Sequence, residues 1–416
     1  MRNEIQSLMQ KNQLDALLVT GAGQHNPYMV YLTGGGHVTN SDLIISKGQE
    51  GLLFHGSMER DEAAKSGFIT KSYDSYPYAE LKALAKGNLI DIAAHRYIQM
   101  FKDAGITEGN IAVFGNCDLG SKFAILSRVQ ALAPKLNFVG FLDDPIIMTA
   151  MMTKEETEVN RIRNMGKITT SVVARVADFL TSHPVENETL IKNDGEPLTI
   201  GDVKSKINLW LAELGAENPE DTIFAIGHDA GVPHSQGNPN DLLQLGKTIV
   251  FDIFPCETGG GYYYDFTRTW CLGYAPAEIQ NMYDQVKHVY DTVVNELEVD
   301  QPFEKFQKRT CQLFEEQGHP TVNSHPGTET GYVHSVGHGL GLNVHEMPFS
   351  GASSGPNDVL AKGSVFTIEP GLYYPNKGYG IRIEDSYYVN PNGQIEILAE
   401  FPYDLVLPMT LKPQNF

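Results

Sequence analysis

Four acidic side chains in the second half of this chain sit inside runs of β-branched and aromatic residues, where an ionised carboxylate is hardest to accommodate. Asp252 lies in Thr248-Ile249-Val250-Phe251-Asp252-Ile253-Phe254, and Asp265 follows Tyr262-Tyr263-Tyr264. Glu369 closes Val365-Phe366-Thr367-Ile368, and Glu384 ends Gly380-Ile381-Arg382-Ile383. Such runs favour strands, and a buried carboxylate without a partner is costly. The fold therefore has to bring a counter-charge to each of them. For one aspartate alone, a turn cap or a salt bridge with Arg268 would suffice, and a buried pair with Arg382 would serve Glu384. The runs 247–254 and 262–272 read as partners across a loop holding Gly259, Gly260 and Gly261, which predicts a hairpin with a long loop. Two aspartates on adjoining strands of a rigid hairpin can instead hold one cation between them.

A second constraint is the string His334-Ser335-Val336-Gly337-His338-Gly339-Leu340-Gly341-Leu342-Asn343-Val344-His345-Glu346. Glycines permit close backbone approach, and neutral imidazole is a common metal ligand. One histidine in a loop is ordinarily solvent-facing or a satisfied core residue, whereas three among glycines and apolar residues favour a site. Four carboxylates and one imidazole suit two divalent ions that share bridging oxygens.

The first segment reads differently. Short apolar runs at 16–20, 42–45, 51–54 and 111–114 alternate with helical patterns, which predicts an α/β domain with its own sheet. Near Asp144-Pro145 the pattern changes to a charged stretch, 154–180, with Val159, Ile162, Met165, Ile168, Val172 and Val176 close to helical spacing. The chain thus divides into domains 1–149 and 150–416.

With 416 residues, 51 acidic against 31 basic side chains and a formal charge of -20, the protein would repel nucleic acid and anionic bilayers at long range. Cys117, Cys256, Cys271 and Cys311 are too scattered for a zinc knuckle or a disulfide framework. With no apolar run long enough to cross a membrane and no secretory pattern at the start, a cytoplasmic protein with no nucleic-acid or membrane partner is expected.

Ordered blocks make a resemblance specific: Val232-Pro233-His234, Val250-Phe251-Asp252, Asp265-Phe266-Thr267-Arg268-Thr269, the His334–Glu346 string, Thr367-Ile368-Glu369-Pro370-Gly371 and Gly380-Ile381-Arg382-Ile383-Glu384-Asp385. Together they resemble the M24 peptidases, in particular the prolidase and Xaa-Pro aminopeptidase branch. The resemblance implies an α+β fold: a pita-bread catalytic domain with a curved antiparallel sheet, preceded by a smaller α/β domain of creatinase type. It implies two divalent metal ions per chain, with manganese favoured by ligand hardness and zinc, cobalt or iron as alternatives. Asp252 would chelate one ion, Asp265 and Glu384 would bridge both, and His338 and Glu369 would complete the other. Glu369 would also carry a proton, His234 and His345 would stabilise the developing negative charge, and His334 and Arg382 would contact substrate. The implied reaction is hydrolysis of the Xaa-Pro bond in dipeptides or short peptides, by a homodimer. A hydrolase or lyase acting on a small non-peptide substrate, and a non-catalytic binding protein of the same fold, are the alternatives. The interval from Asp252 to Asp265 is longer than usual in the family, which places extra length in the Gly259–Gly261 loop.

Overall fold

A computed structural model of the chain describes residues 2–352 and 354–410. The chain folds as two compact units. The first ends at Met151 and takes in Gly259–Gly261, and the second comprises Met152–Thr258 and the chain from Tyr262 onward.

In the first unit the apolar run Ala16-Leu17-Leu18-Val19 becomes the strand Ala16–Gly21, buried along its whole length. Such a run suits a strand covered on both faces. It pairs antiparallel with Ser41–Ser46 and parallel with Gly109–Asn116, inside a mixed six-stranded sheet. Helix Leu89–Asp103 starts at Asn88, whose side chain accepts from the Asp91 N–H at 3.1 Å and so satisfies one of the open donors of the first turn. The helix buries Ile92, Tyr97, Met100 and Phe101 in one cluster with Leu18, Ile44, Phe54 and Ile111. Each such side chain contributes about 1.5–3 kcal/mol of transfer free energy.

The second unit opens with helix Glu156–Thr181. It is started by a capping box between Glu155 and Glu158, and it buries Val159, Ile162, Met165, Val172, Val176 and Leu180 at helical spacing. Ile168 is only half-buried, and Thr169 takes the inward position. Of the five sheets that follow among the described residues, three carry the site. Thr248–Ile253 lies between Ile223–Ile226 and Phe266–Leu272, antiparallel to both. Val365–Ile368 pairs with Asp385–Val389, and Gly371–Tyr374 with Tyr379–Arg382.

Two expected strands are shorter than their sequence patterns. The run 262–272 is regular only from Phe266. Before it the chain folds back, the Tyr264 N–H donates to Pro255 O at 3.1 Å, and the Tyr262 hydroxyl reaches Glu158. The run 380–385 breaks after Arg382, where the chain leaves one sheet for another. Among the described residues no helix is long and apolar enough to cross a membrane.

Candidate metal centre

Strand alternation builds the site. Phe251 and Asp252 project to opposite faces of a central strand. Phe251 packs edge-on to Phe224 and Trp270, with ring centroids at 5.1 and 5.5 Å. Asp252 instead lines a cavity of about 350 Å³. Its direct cross-strand partner is Thr267, so Thr267 shares that face, and its hydroxyl donates to Glu384 Oε2 at 2.7 Å. Thr269, two residues on, donates to the Arg382 carbonyl at 3.0 Å. Arg268 points the other way and pairs with Asp385 at 2.9 Å.

His338 is held by its backbone. Its N–H donates to Thr367 Oγ1 at 3.2 Å, and Nδ1 lies 3.1 Å from the Gly339 carbonyl. Because that oxygen can only accept, Nδ1 carries the proton, and the Nε2 lone pair is free. Nε2 stands 3.6 Å from Asp265 Oδ2 and 3.4 Å from Glu369 Oε1. One ligand atom each from Asp265, His338 and Glu384 all lie within 4.8 Å of one another. The glycines around His338 are there for close approach. A Cβ on Gly337 would lie 2.0 Å from Thr367 O, one on Gly339 2.1 Å from Met347 O, and one on Gly341 2.3 Å from Glu346 Oε2.

The electrostatics favour a bound cation. Burial, reinforced by the neighbouring carboxylates, holds Asp265 and Glu384 well above the usual carboxylate range. Burial pushes Glu369 up to about 8, against the pull of Arg382. The imidazole of His338 is lowered to about 3, again chiefly by burial, so it is neutral and fit to ligate. Asp252 Oδ1, Asp265 Oδ1 and Glu384 Oε1 are buried without a hydrogen-bond partner. Each such atom costs about 1–3 kcal/mol unless something binds it. The residues present therefore fit hard divalent cations, with oxygen donors in excess and one nitrogen.

The structure places the remaining expected residues as follows. Arg382 does not take Glu384 as its ion-pair partner: Nη2 pairs with Asp252 Oδ2 at 2.5 Å, Nη1 donates to the Tyr373 hydroxyl at 2.7 Å and Pro233 O at 3.3 Å, and Nε donates to Thr267 Oγ1 at 3.2 Å. Nor does Arg268 serve either aspartate of the hairpin, because strand alternation turns it to the opposite face. Both ring nitrogens of His334 are engaged, Nδ1 with Ser335 O at 2.7 Å and Nε2 with the Tyr373 hydroxyl at 2.9 Å. His345 is exposed at its edge yet packs 4.3 Å from His338 between ring centroids, and the partial burial of its ring lowers its pKa against the pull of Glu220. His234 is exposed and lines the same cavity.

Sequence reasoning misses Thr267 and Tyr373. Thr267 is open to discovery, because it lies two residues from Asp265 and strand alternation returns it to the same face. Also missed is the ion pair of Lys154 with Glu346, 2.9 Å long and with both side chains at most 2% exposed. The other Glu346 oxygen accepts from the Asn343 N–H at 2.9 Å, so the pair pins the turn that carries His345. Nothing in the local sequence around Lys154 signals a partner that distant.

Comparison with known proteins agrees with this geometry. The profile of metallopeptidase family M24 matches residues 160–391. A probable dipeptidase, PepE, from Mycobacterium tuberculosis is 28% identical over 276 residues, 66% of this chain and 66% of its own length, so this match spans just under two thirds of that relative. The Xaa-Pro dipeptidase of Pyrococcus horikoshii is 25% identical over 392 residues, 94% of each chain. Among solved structures, a dipeptidase from Pyrococcus horikoshii superposes with a TM-score of 0.75 at 21% identity, covering 98% of this chain and 99% of that one. An Xaa-Pro dipeptidase from Bacillus anthracis gives 0.74 at 19% identity, over 97% and 98%. The architecture is thus the mixed α+β, pita-bread fold of those proteins, and divalent metal ions are implied. A profile match over more than half of its length, on the residues that build the carboxylate and histidine cluster, shows that the chain belongs to metallopeptidase family M24.

Proposed function

We propose that this protein hydrolyses the Xaa-Pro peptide bond in dipeptides or short peptides with two divalent metal ions, manganese in the first instance. The observation that carries the reading is the clustering of Asp265 and Glu384, each with a buried, partnerless carboxylate oxygen, around the imidazole of His338, with the equally partnerless Asp252 Oδ1 in the same cavity lining. In this reading Asp252, Asp265, His338, Glu369 and Glu384 would hold the two ions. When bound, such a pair of ions lowers the pKa of a water and polarises the scissile carbonyl.

The chain's own groups do the rest. Glu369 has one oxygen 3.4 Å from His338 Nε2 and the other 3.8 Å from His334 Nδ1. In this reading the second oxygen carries a proton to the departing amine. His345 and His234, both on the cavity wall, donate to the oxygen on which negative charge develops. His334, with its nitrogens engaged, offers a ring face to the substrate. A proline nitrogen in an amide carries no hydrogen, so its ring suits a wall without donors; Ile223, Phe254, Val344 and Phe349 supply one.

Residues 1–149 are assigned as a creatinase-type domain and 150–416 as the catalytic domain of a homodimer. The acidic charge and four free cysteines support a cytoplasmic protein without nucleic-acid partners. The test is an activity screen of the metal-loaded protein on Xaa-Pro dipeptides, longer Xaa-Pro peptides and small C–N compounds, with metal analysis. Turnover confined to the last group, or full activity in chelator with no bound metal, would overturn the proposal.

A further inference from the structure

The charges lining the cavity are lopsided. Among the described residues its wall carries five acids, Glu220, Asp252, Asp265, Glu369 and Glu384, and a single lysine or arginine, Arg382. That guanidinium is 3% exposed and is committed to Asp252, Tyr373, Thr267 and Pro233 O. A new anion would have to break a buried ion pair to reach it. Four of the acids belong to the metal set, whose charge two divalent ions would balance. Glu220 does not belong to it. It is exposed at the cavity wall, and its field acts on His345. The rest of the wall is made of histidines and of apolar or uncharged polar side chains.

Resting on the Xaa-Pro reading above, we infer that this pocket disfavours a free carboxylate on the residue after the scissile bond, and so serves peptides that continue past the proline, or are capped there, over Xaa-Pro dipeptides. A dipeptide brings its carboxylate within a few bonds of the reacting amide. There it loses water, meets no available lysine or arginine and faces Glu220, and like charges brought together oppose binding. An amide or a further residue removes that charge and keeps the proline ring against the apolar wall.

The experiment compares Ala-Pro, Ala-Pro-amide and Ala-Pro-Ala as substrates of the metal-loaded full chain. The two uncharged-at-proline compounds should show kcat/KM at least about tenfold above the dipeptide, with the difference in KM. Glu220→Lys should narrow that ratio. A readout independent of turnover is thermal stabilisation by L-prolinamide against L-proline at equal concentration, where prolinamide should give the larger shift. Preference for the dipeptide, or an unchanged ratio in Glu220→Lys, overturns this inference and leaves the Xaa-Pro reading standing. No turnover of any of the three sinks the Xaa-Pro reading, and this inference with it.

Discussion

Glu384 and Asp385 are neighbours in the chain, both at most 2% exposed, and they face opposite fates. Asp385 is fully served by protein: Arg268 Nη2 donates to Oδ1 at 2.9 Å, and the hydroxyls of Tyr290 and Tyr403 donate to Oδ2 at 2.5 and 2.8 Å. Glu384 receives one hydroxyl, from Thr267, and keeps its other oxygen without a partner. The first acid is finished by folding and is part of the scaffold. The second, with Asp252 and Asp265, is finished only by something that binds. Burial alone does not identify a functional carboxylate; unfilled acceptor capacity does.

The sharpest way to break this contrast is to neutralise one acid from each side. Glu384→Gln and Asp252→Asn should lose bound metal, with activity falling beyond the roughly 10- to 100-fold that outer-shell changes cost. Full occupancy and rate in either variant would show that the cation site is elsewhere. Asp385→Asn should do the reverse. It strands Arg268 in the core and should cost about 3–5 kcal/mol of stability, while the folded fraction keeps its metal stoichiometry. Thermal melts with metal analysis on the same samples separate the two outcomes.

The contrast is sharpened by histidines that ligate or do not. His338→Ala should lose metal affinity, whereas His345→Ala should keep both ions and lower turnover by about 10²-fold. Normal turnover in His345→Ala would remove that residue from catalysis. A smaller change is expected for Thr267→Val, which takes the one hydroxyl from Glu384 and should weaken metal binding by about tenfold, measured by competition with a chelator.

The mildest test is pH. In the metal-free protein Glu369 is raised to about 8 and its neighbours Asp265 and Glu384 are also raised, so the folded state holds protons that the unfolded chain releases near pH 4.5. That contribution is fully present below the unfolded value and is lost as pH rises through about 8. The melting temperature of chelated protein should therefore drop across this window, and added metal should recover most at its upper end. A flat profile would mean that the acids are not crowded as described.

Much of this is legible in the sequence, because the relevant signals are local. The apolar run around Asp252 marks its strand, and the apolar run at 16–20 marks the central strand of the first unit. What stays hidden depends on which strand lies beside which. Proximity in sequence points Arg382 at Glu384, but the sheet hands it to Asp252, 130 residues away. The pairs of Arg268 with Asp385 and Lys154 with Glu346 span 117 and 192 positions, and no local window on the chain contains both members. The Tyr262–Tyr264 run reads as strand by composition, yet tertiary contacts with Glu158 and Pro255 outweigh β-propensity.

The crowding at Gly337, Gly339 and Gly341 has a consequence for ancestry. Two of the three obstacles to a side chain there are backbone carbonyls, which cannot step aside as a rotamer can. A mutational path through either position needs a simultaneous rearrangement of the opposing strand, and single substitutions do not supply one. At these two positions a side chain has nowhere to go, so sterics alone hold them as glycine before any selection on chemistry is counted.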